Sequence, residues 1–416
     1  MEKKILKAGA GKAVINYPAE FFPQENFGGI HDEIHGRALL LEQKEKVLIL
    51  SLELPSIRPN RLVEEVRKEI GEYWGLKINR IWLCVTHNLS APHVPTQEIN
   101  QDKYEIHMNA IKSAINEAVK QAQKSLKPAR VEVCMGSADI NVNRDIETAD
   151  GWWQGINPDG DSDKSVIAVK FIDENDKCIG AFFHYAVKST TLAGALMKNG
   201  FRYVTADVTG EACRYAENRW KAPVMFFMGA AADQEPIKRA DYFEVDNNGK
   251  PKHVNLGEKG FEFVKELGEI LGREVAGIME KGNEINISEV KCVHLSWMLQ
   301  GQKFWTEGKP YHPVKEYEFI PSEMEELSVE VLILGPVVLF GMKPESTAII
   351  GKKLREENPE YIPLMIAMVN GGKDYLSDKS AYHRLTFGGT HSVFAEGGAE
   401  LFLEKAHEFL EELKKS

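Results

Sequence analysis

Two short apolar runs decide the fold: residues 47–54 read VLILSLEL and residues 81–85 read IWLCV. Both have the length and the branched apolar composition of strands that are buried on both faces. Between them, Leu62 and Val66 recur at helical spacing, and Asn60 stands where a helix N-cap is expected. A strand, a helix and a strand in this order predict a parallel pair joined by a right-handed crossover.

The rest of the chain alternates in the same way between short apolar runs and longer amphipathic stretches. We therefore predict an α/β fold in which a mixed, mainly buried β-sheet core is flanked by helices. With no internal repeat and no proline-rich linker, residues 1–416 are interpreted as a single domain. Two polar, aromatic segments near 238–256 and 302–324 resemble insertions, and loops of that length are commonly functional. Further strands are expected at 131–133, 166–171, 179–187, 224–227 and 329–341, and further helices at 105–125, 210–219, 261–280, 345–356 and 395–414.

The composition argues against several classes of partner. The chain has 62 acidic and 51 basic side chains and a net charge of −11, so nucleic acid or an anionic membrane surface is a poor partner. No apolar run approaches the ~20 residues that span a bilayer. The N-terminus lacks the apolar core of a secretory signal, and the five cysteines show no CxxC spacing. We expect a cytoplasmic protein with a small-molecule substrate, no nucleic-acid or membrane partner, and a homodimer only on base rate.

Polar side chains follow apolar runs at several places, and the ends of strands are where sites of α/β proteins collect. His87 and His93 share the loop after IWLCV, where a pair of histidines either supports the loop or binds a zinc-like metal. Asp233 and Glu235 follow a later apolar run. They fit two interpretations equally: acids at a helix N-terminus, or one carboxylate that works as a general base.

Two further sites of this kind lie in the last quarter of the chain. Glu345 follows Pro344 at the opening of a predicted helix, where a glutamate is also common for capping alone. Asp374 and Tyr375 belong to the glycine-rich turn NGGKDY at 370–375. No P-loop, HExxH, GxGxxG or GxSxG motif is present, so none of these sites is diagnostic by itself.

The adjacent Trp152 and Trp153 are predicted in a loop, where they suit stacking on a sugar or a similar polar ring, although one of them equally fits a core position. His184 stands four residues before Lys188, and an even spacing keeps both on one face of a regular strand. His184 is therefore a candidate for the same cavity as Lys188, with a packed strand histidine as the alternative. Two aromatic residues of the second insertion are candidates for the same cavity wall: Trp305 and Tyr311.

In order along the chain, these stretches resemble the catalytic domain of the neutral/alkaline, non-lysosomal ceramidase family. GGIHDEIHGRALLLE at 28–42 resembles an early segment of that domain, and VTHNLSAP at 85–92 resembles its THTHSGP motif. YVTADVTG at 203–210 resembles SADYPG, GAAADQEP at 229–236 resembles GAAGDQNP, and GMKPESTAIIGKKL at 341–354 resembles GVPGEFTTMAGRRL. The resemblance covers essentially the whole chain and implies the α/β fold of that domain, in a divergent bacterial-type member without the family's immunoglobulin-like C-terminal domain.

In that family, a zinc ion held by two histidines, a glutamate and a tyrosine activates water for hydrolysis of an N-acyl amide. The resemblance implies that the first histidine is His87, the glutamate is Glu345 and the nearest candidate for the tyrosine is Tyr375. The second histidine falls on Lys188, and a protonated ammonium has no lone pair for a metal. His391 stands where the family has a glutamate late in the domain.

Two alternatives follow for the cofactor. In one, His87 and Glu345, with His391 or His93, form a rebuilt site for zinc or another divalent metal. In the other no metal is bound. The ammonium of the lysine at the second histidine position then faces Glu345 and Asp233 and polarises a carbonyl or glycosidic oxygen.

The sequence thus predicts a hydrolase of a small, soluble, polar substrate, and the resemblance favours an amide C–N bond. One alternative is a glycoside-acting enzyme with paired carboxylates such as Glu235 and Glu345. The other is an inactive ligand-binding homologue. The candidates are, for catalysis, Asp233, Glu235, Lys188 and Tyr375; for substrate binding, Trp152, Trp153, His93 and His184; and for a metal, His87, Glu345 and His391.

Overall fold

The computed structural model describes residues 5–303 and 312–415, which form both strands and helices. The helices are α1 (Asn60–Trp74), α2 (Gln101–Lys124), α3 (Asp207–Trp220), α4 (Lys259–Ile278), α5 (Ala348–Glu356), α6 (Lys379–His383), α7 (Phe387–Thr390) and α8 (Gly398–Lys415). The strands are β1 (Lys7–Val14), β2 (Phe27–Ile30), β3 (His35–Glu42), β4 (Lys46–Leu52), β5 (Ile81–Val85), β6 (Lys127–Pro128), β7 (Arg130–Ser137), β8 (Asn141–Thr148), β9 (Gly151–Asn157), β10 (Ser165–Ile172), β11 (Cys178–Tyr185), β12 (Arg202–Val204), β13 (Val224–Met228), β14 (Gln234–Pro236), β15 (Asp241–Val245), β16 (Pro251–Asn255), β17 (Asn283–Ile285), β18 (Val290–Gln302), β19 (Pro321–Leu334), β20 (Val337–Met342), β21 (Glu345–Ser346), β22 (Ile362–Ile366) and β23 (Tyr375–Leu376).

The apolar runs at 47–54 and 81–85 form β4 and β5, and their predicted parallel pairing is confirmed, with Leu50 opposite Leu83. They lie at one edge of a five-stranded sheet with the order β5-β4-β3-β1-β6. The predicted N-cap is wrong, because Asn60 is the first residue of α1 and follows Pro59. Its amide instead donates to the carbonyl oxygen of Gly372 and accepts from the Gly372 N–H, both at 3.0 Å.

Glycine and alanine alternate between the two faces of β1 and let neighbouring layers approach closely. A Cβ at Gly9 or Gly11 would lie 2.0 Å from carbonyl oxygens of α2, so only glycine lets the helix approach this closely. Ala8 and Ala10 point to the opposite face and pack in the apolar core that this sheet shares with the other large sheets. A Cβ at Gly180 of β11 would lie 2.5 Å from that of Ala10, so small residues allow close contact on this face too.

Two more sheets complete the core. The second has the order β13-β11-β10-β7-β17 and the third has the order β18-β19-β20-β22. Apolar side chains of all three sheets form one buried cluster, while helices cover the outer faces, with α5 and α8 packed on the third sheet. Both parallel and antiparallel pairs occur, which confirms the predicted mixed α/β class. None of the helices in the described parts of the chain has the length and apolar character that crossing a membrane requires.

Several predicted boundaries are corrected by the structure. The single strand expected over 329–341 is a hairpin of β19 and β20, because Gly335 adopts a left-handed φ of +60° and turns the chain. The segment near 238–256 contains the antiparallel pair β15 and β16. In the segment near 302–324, Trp305 and Tyr311 lie outside the described residues.

Two corrections concern site candidates. Glu345 does not open a helix, because α5 begins at Ala348 and Glu345 pairs in parallel with Tyr375 in the short ladder of β21 and β23. Trp152 and Trp153 are not in a loop but in β9, which pairs with β8 as an antiparallel hairpin that the sequence analysis did not predict.

Candidate functional site

His87 lies two residues beyond the end of β5 and adopts a left-handed φ of +51°. Its Nδ1 lies 3.1 Å from the carbonyl oxygen of Pro55, so Nδ1–H donates there and Nε2 presents a lone pair. Burial outweighs the opposing charge of Glu345 and, with the charge of Lys188, lowers the pKa of His87. The imidazole is therefore neutral at pH 7 and available as a base.

Glu345 faces this base. Its Oε1 lies 3.6 Å from Nε2 of His87. With a neutral imidazole, both facing atoms are hydrogen-bond acceptors, so they fit a donor that bonds to both, such as a water molecule. Burial opposes ionisation of Glu345, but its interactions with Lys188, His87 and Arg144 together outweigh burial and hold the pKa of Glu345 below its ordinary value.

Lys188 is almost completely buried, with 1% of its surface exposed. Its Nζ lies 3.3 Å from Oε2 of Glu345, 4.0 Å from Oε1 of Glu235 and 3.0 Å from the carbonyl oxygen of Ala232, to which it donates. The sequence analysis paired this ammonium with Glu345 and Asp233. The structure confirms the first of these partners, but the second carboxylate in contact with the ammonium is Glu235.

Glu235 is surrounded by donors. Its Oε2 accepts a hydrogen bond from the Thr190 hydroxyl, and its Oε1 lies 3.4 Å from a terminal nitrogen of Arg144. Burial favours its neutral form, but the charges of Arg239, Lys188 and Arg144 outweigh burial and lower the pKa of Glu235 to about 2. Glu235 is therefore an ionised, fully paired group at neutral pH.

Arg144 is the main site residue that the sequence analysis missed. Its guanidinium lies 3.3 Å from the hydroxyl oxygen of Tyr375 and 5.3 Å from the centre of the Phe387 ring. Its buried Nε has no hydrogen-bond partner within the described part of the chain. The one signal in the sequence was a charged residue inside the alternating run NVNRDIET, which forms β8.

Asp233 connects two elements. Its Oδ1 accepts from the N–H of Ala348, the first residue of α5, at 2.9 Å, and its Oδ2 accepts from the amide of Asn143 at 3.0 Å. Burial, together with the nearby charge of Asp145, raises the pKa of Asp233 to about 7. Asp233 therefore exchanges a proton near neutral pH, but both of its oxygens are engaged in holding α5 and β8.

Two further histidine candidates have their own hydrogen-bond partners. His184 is buried, with Nε2 at 3.0 Å from the carbonyl oxygen of Met365, and burial lowers its pKa to about 4. His184 and Lys188 do not share one face of a strand as predicted, because β11 ends at Tyr185 and the strand alternation does not extend to Lys188. His93 is exposed, and its Nδ1 lies 2.9 Å from a carboxylate oxygen of Glu25.

The remaining candidates lie in or beside an aromatic group centred on Phe387. His391 stacks on Phe387 with 3.8 Å between ring centres, and its Nδ1 lies 2.9 Å from the carbonyl oxygen of the same residue. Trp153 is buried and meets Phe387 edge-on at 5.8 Å. The guanidinium of Arg384 lies over the ring of Trp152, 4.8 Å from the ring centre, so this face of Trp152 is already covered by protein.

A cleft of about 160 Å³ opens in front of the facing pair of His87 and Glu345. His93 lies on its wall, which places one predicted substrate-binding residue beside the two predicted metal ligands. The polar and basic side chains of the lining include Arg58, His87, His93, Lys343, Glu345 and Lys373.

The donor set does not fit a zinc ion. A zinc site needs at least three converging protein ligands, and over residues 5–303 and 312–415 no three His, Cys, Asp or Glu side chains form such a group. His391, the third predicted ligand, directs Nδ1 to Phe387. The ammonium of Lys188 lies 3.3 Å from Glu345 and would repel a divalent cation on that carboxylate.

Comparison with solved structures identifies the fold as that of the ceramidases. A ceramidase complexed with C2 superposes with a TM-score of 0.72 at 16% sequence identity, over 98% of this chain and 76% of that chain. The neutral ceramidase from Pseudomonas aeruginosa superposes with a TM-score of 0.71 at 15% identity, over 98% and 74% of the two chains. No family model and no curated protein matches the sequence. The ceramidase-like fold inferred from the sequence resemblance is thus confirmed.

Proposed function

We propose that this protein is a hydrolase that cleaves the C–N bond of a small polar amide with a water molecule held between His87 and Glu345. The observation that supports this proposal best is the pair of acceptor atoms, Nε2 of His87 and Oε1 of Glu345, which face each other 3.6 Å apart beside an open cleft. The ceramidase-like fold is consistent with hydrolysis of an amide.

The proposed reaction needs only these two side chains and the water. The water donates one hydrogen bond to Nε2 of His87 and the other to Oε1 of Glu345. As its oxygen bonds to the amide carbon, its proton moves to Nε2 and the C=O electron pair moves to the carbonyl oxygen. The oxyanion then re-forms the C=O bond as the C–N bond breaks, and the imidazolium, stabilised by the Glu345 carboxylate, gives its proton to the departing amine nitrogen, which leaves a carboxylic acid and an amine.

Lys188 acts in this scheme as a positioning residue. Because it is buried behind Glu345, its ammonium does not reach a substrate, in contrast to the carbonyl-polarising role that the sequence suggested. Its charge instead keeps Glu345 ionised and directs one oxygen of that carboxylate away from the cleft. Arg144 and Tyr375 support the same network from the other side of the ammonium.

The paired-carboxylate alternative is disfavoured by Glu235. A glycoside hydrolase needs one carboxyl group with a raised pKa as its general acid. The pKa of Glu235 is lowered to about 2, and its oxygens are engaged by Thr190 and Arg144. Asp233 has the raised pKa, but its oxygens are bonded to Ala348 and Asn143.

The size of the cleft points to a small substrate. Its volume of about 160 Å³ corresponds to roughly five water molecules at ~30 Å³ each, well below the pockets that enclose larger ligands. A small N-acyl amide is therefore a better candidate than a molecule with long acyl chains.

Turnover of a panel of N-acetyl amides, followed by acetate release, tests the proposal. We expect His87→Asn to lower kcat/KM by ~10²- to 10⁴-fold, because the general base is lost. The matched control is His294→Asn on an exposed position of β18, which leaves kcat/KM unchanged. Equal turnover by His87→Asn and the wild type would refute the mechanism. No turnover of any amide, with a rise in melting temperature on adding one, would indicate the inactive ligand-binding homologue instead.

A further inference from the structure

The lining of the cleft differs in charge from the rest of the molecule. The chain has a net charge of −11, yet three basic side chains, Arg58, Lys343 and Lys373, line the cleft against two acidic ones, Glu345 and Asp374. A basic cleft in an acidic protein concentrates small anions, because the low-dielectric walls focus the local field.

The acidic lining does not neutralise this basic group. Glu345 is already paired with the buried Lys188 behind it at 3.3 Å. Asp374 lies 3.6 Å from Arg58, which is too long for a hydrogen bond and leaves the guanidinium fork able to bond elsewhere. Lys373 is engaged with Glu325 at 2.8 Å.

Among residues 5–303 and 312–415, Lys343 is the basic residue of the cleft whose side chain forms no ion pair or hydrogen bond. The residue as a whole is half-buried. It lies two positions before Glu345 in the chain, so its backbone is fixed close to the facing pair of His87 and Glu345. A lysine at a cleft whose ammonium is not paired by the described residues is suited to an anion that arrives with a ligand.

The wall that presents these cations is held in place by the backbone. The carbonyl of Lys343 accepts from the N–H of Lys373 at 3.3 Å, and the N–H of Glu345 donates to the carbonyl of Asp374 at 2.9 Å. The amide of Asn60 holds the same turn at two points through Gly372. The backbone that carries Lys343 and Lys373 is therefore fixed next to the reacting pair, so both side chains start from a defined position at the cleft.

We propose that the substrate carries a carboxylate next to its scissile amide, as an N-acyl amino acid does, and that Lys343 and Arg58 bind this carboxylate. The inference rests on the hydrolase proposed above and specifies its substrate class. The guanidinium of Arg58 offers a planar pair of donors that matches a carboxylate, and the ammonium of Lys343 adds a second charge. The carboxylate then anchors the substrate while its amide carbon meets the water between His87 and Glu345.

The test compares N-acetylglycine with N-acetylglycinamide, which differ in the carboxylate alone, as substrates of the wild type and of Lys343→Met. We expect the wild type to hydrolyse the acid with a ~10- to 100-fold higher kcat/KM than the amide, as for a charge-assisted hydrogen bond. Lys343→Met should lose most of this preference through KM. The matched control is Lys68→Met on the exposed face of α1, which changes the net charge equally and keeps the preference.

Equal turnover of the two compounds by the wild type, or an equal loss for both in Lys343→Met, would overturn the carboxylate site while leaving the hydrolase in place. If neither compound is turned over, calorimetry with N-acetylglycine separates the two proposals. Binding that weakens ~10-fold or more in Lys343→Met supports the anion site and refutes the hydrolase. Absence of binding to the wild type overturns the anion site.

Discussion

Glu345 and Glu235 contact the same buried ammonium, yet their surroundings differ in kind. Glu235 is bonded by Thr190 and faces Arg144 as well as Lys188, so its oxygens are satisfied within the fold. Glu345 has Lys188 on one oxygen, while the other faces the Nε2 acceptor of His87 beside a cleft. Burial and ionisation are common to both carboxylates, so neither property distinguishes them. In our proposal the reaction is assigned to Glu345 because one of its oxygens faces an open cleft and is not bonded to a donor of the residues that the structure describes.

The largest effect is expected from removal of Lys188, the cation that Glu235 and Glu345 share. Lys188→Met leaves Glu235 and Glu345 buried with less positive charge, so we expect the free energy of unfolding to fall by ~3–5 kcal/mol, as for one partner of a buried ion pair. Urea denaturation at pH 7 measures this. Lys68→Met, at an exposed position, should stay within ~0.5 kcal/mol of the wild type. A loss below ~1 kcal/mol would show that Lys188 is not the link between the two carboxylates.

The same substitution at both carboxylates tests whether Glu235 and Glu345 have different roles. Glu235→Gln leaves Arg144 and Lys188 buried with one charge fewer, so we expect a loss of ~3 kcal/mol in the free energy of unfolding. Glu345→Gln should cost less stability but lower kcat/KM by ~10²-fold or more, because the water loses its second anchor. Paired measurements of urea unfolding and acetate release on the two variants test this. The reverse pattern would exchange the roles of the two residues.

A third variant changes what lies between the carboxylates. Lys188→His replaces an ammonium with an imidazole that has a lone pair, so it adds a third potential ligand beside His87 and Glu345. We expect this variant to bind about one equivalent of zinc and the wild type to bind less than ~0.1 equivalent, measured by elemental analysis after dialysis against zinc. Equal zinc content in both proteins would show that the lysine does not control metal binding.

The smallest effect on the free energy of unfolding is expected from the titration of Asp233, which lies two positions before Glu235 in the chain. Folded Asp233 keeps its proton up to about pH 7, whereas the unfolded side chain loses it near pH ~3.9. The folded state therefore binds more protons in this window, and its stability falls as the pH rises from 5 to 7 by up to ~2 kcal/mol. Asp233→Asn should remove this part of the pH dependence in urea unfolding. Identical curves for the two proteins would contradict the raised pKa.

Much of the fold was predictable because apolar runs report burial directly. The parallel pair of β4 and β5, the mixed α/β class and the ceramidase-like fold are all confirmed. Among the strands that were not predicted, β8 carries polar residues such as Arg144 and Asp145 at buried positions and pairs with β9. Their burial depends on partners elsewhere in the chain, which hydropathy in one window does not show. The single domain, the cytoplasmic location and the homodimer stay predictions.

The proximity of candidate site residues was predictable where the resemblance fixed which residues should meet. His87 and Glu345 lie 258 positions apart in the sequence, and the structure brings them to 3.6 Å. Spacing rules alone were weaker: the even interval from His184 to Lys188 crosses the end of β11, where strand alternation stops. Arg144 was not predictable, because its role is defined by Tyr375 and Glu235, which are distant in the sequence.

His87 adopts a backbone conformation that is unfavourable for a residue with a side chain. A side chain in the left-handed region costs ~1–2 kcal/mol, and glycine would adopt the same φ of +51° without that cost. Folding by itself thus favours a residue with no side chain at this position. The imidazole is present in spite of a conformational penalty, which the base role proposed for His87 would explain.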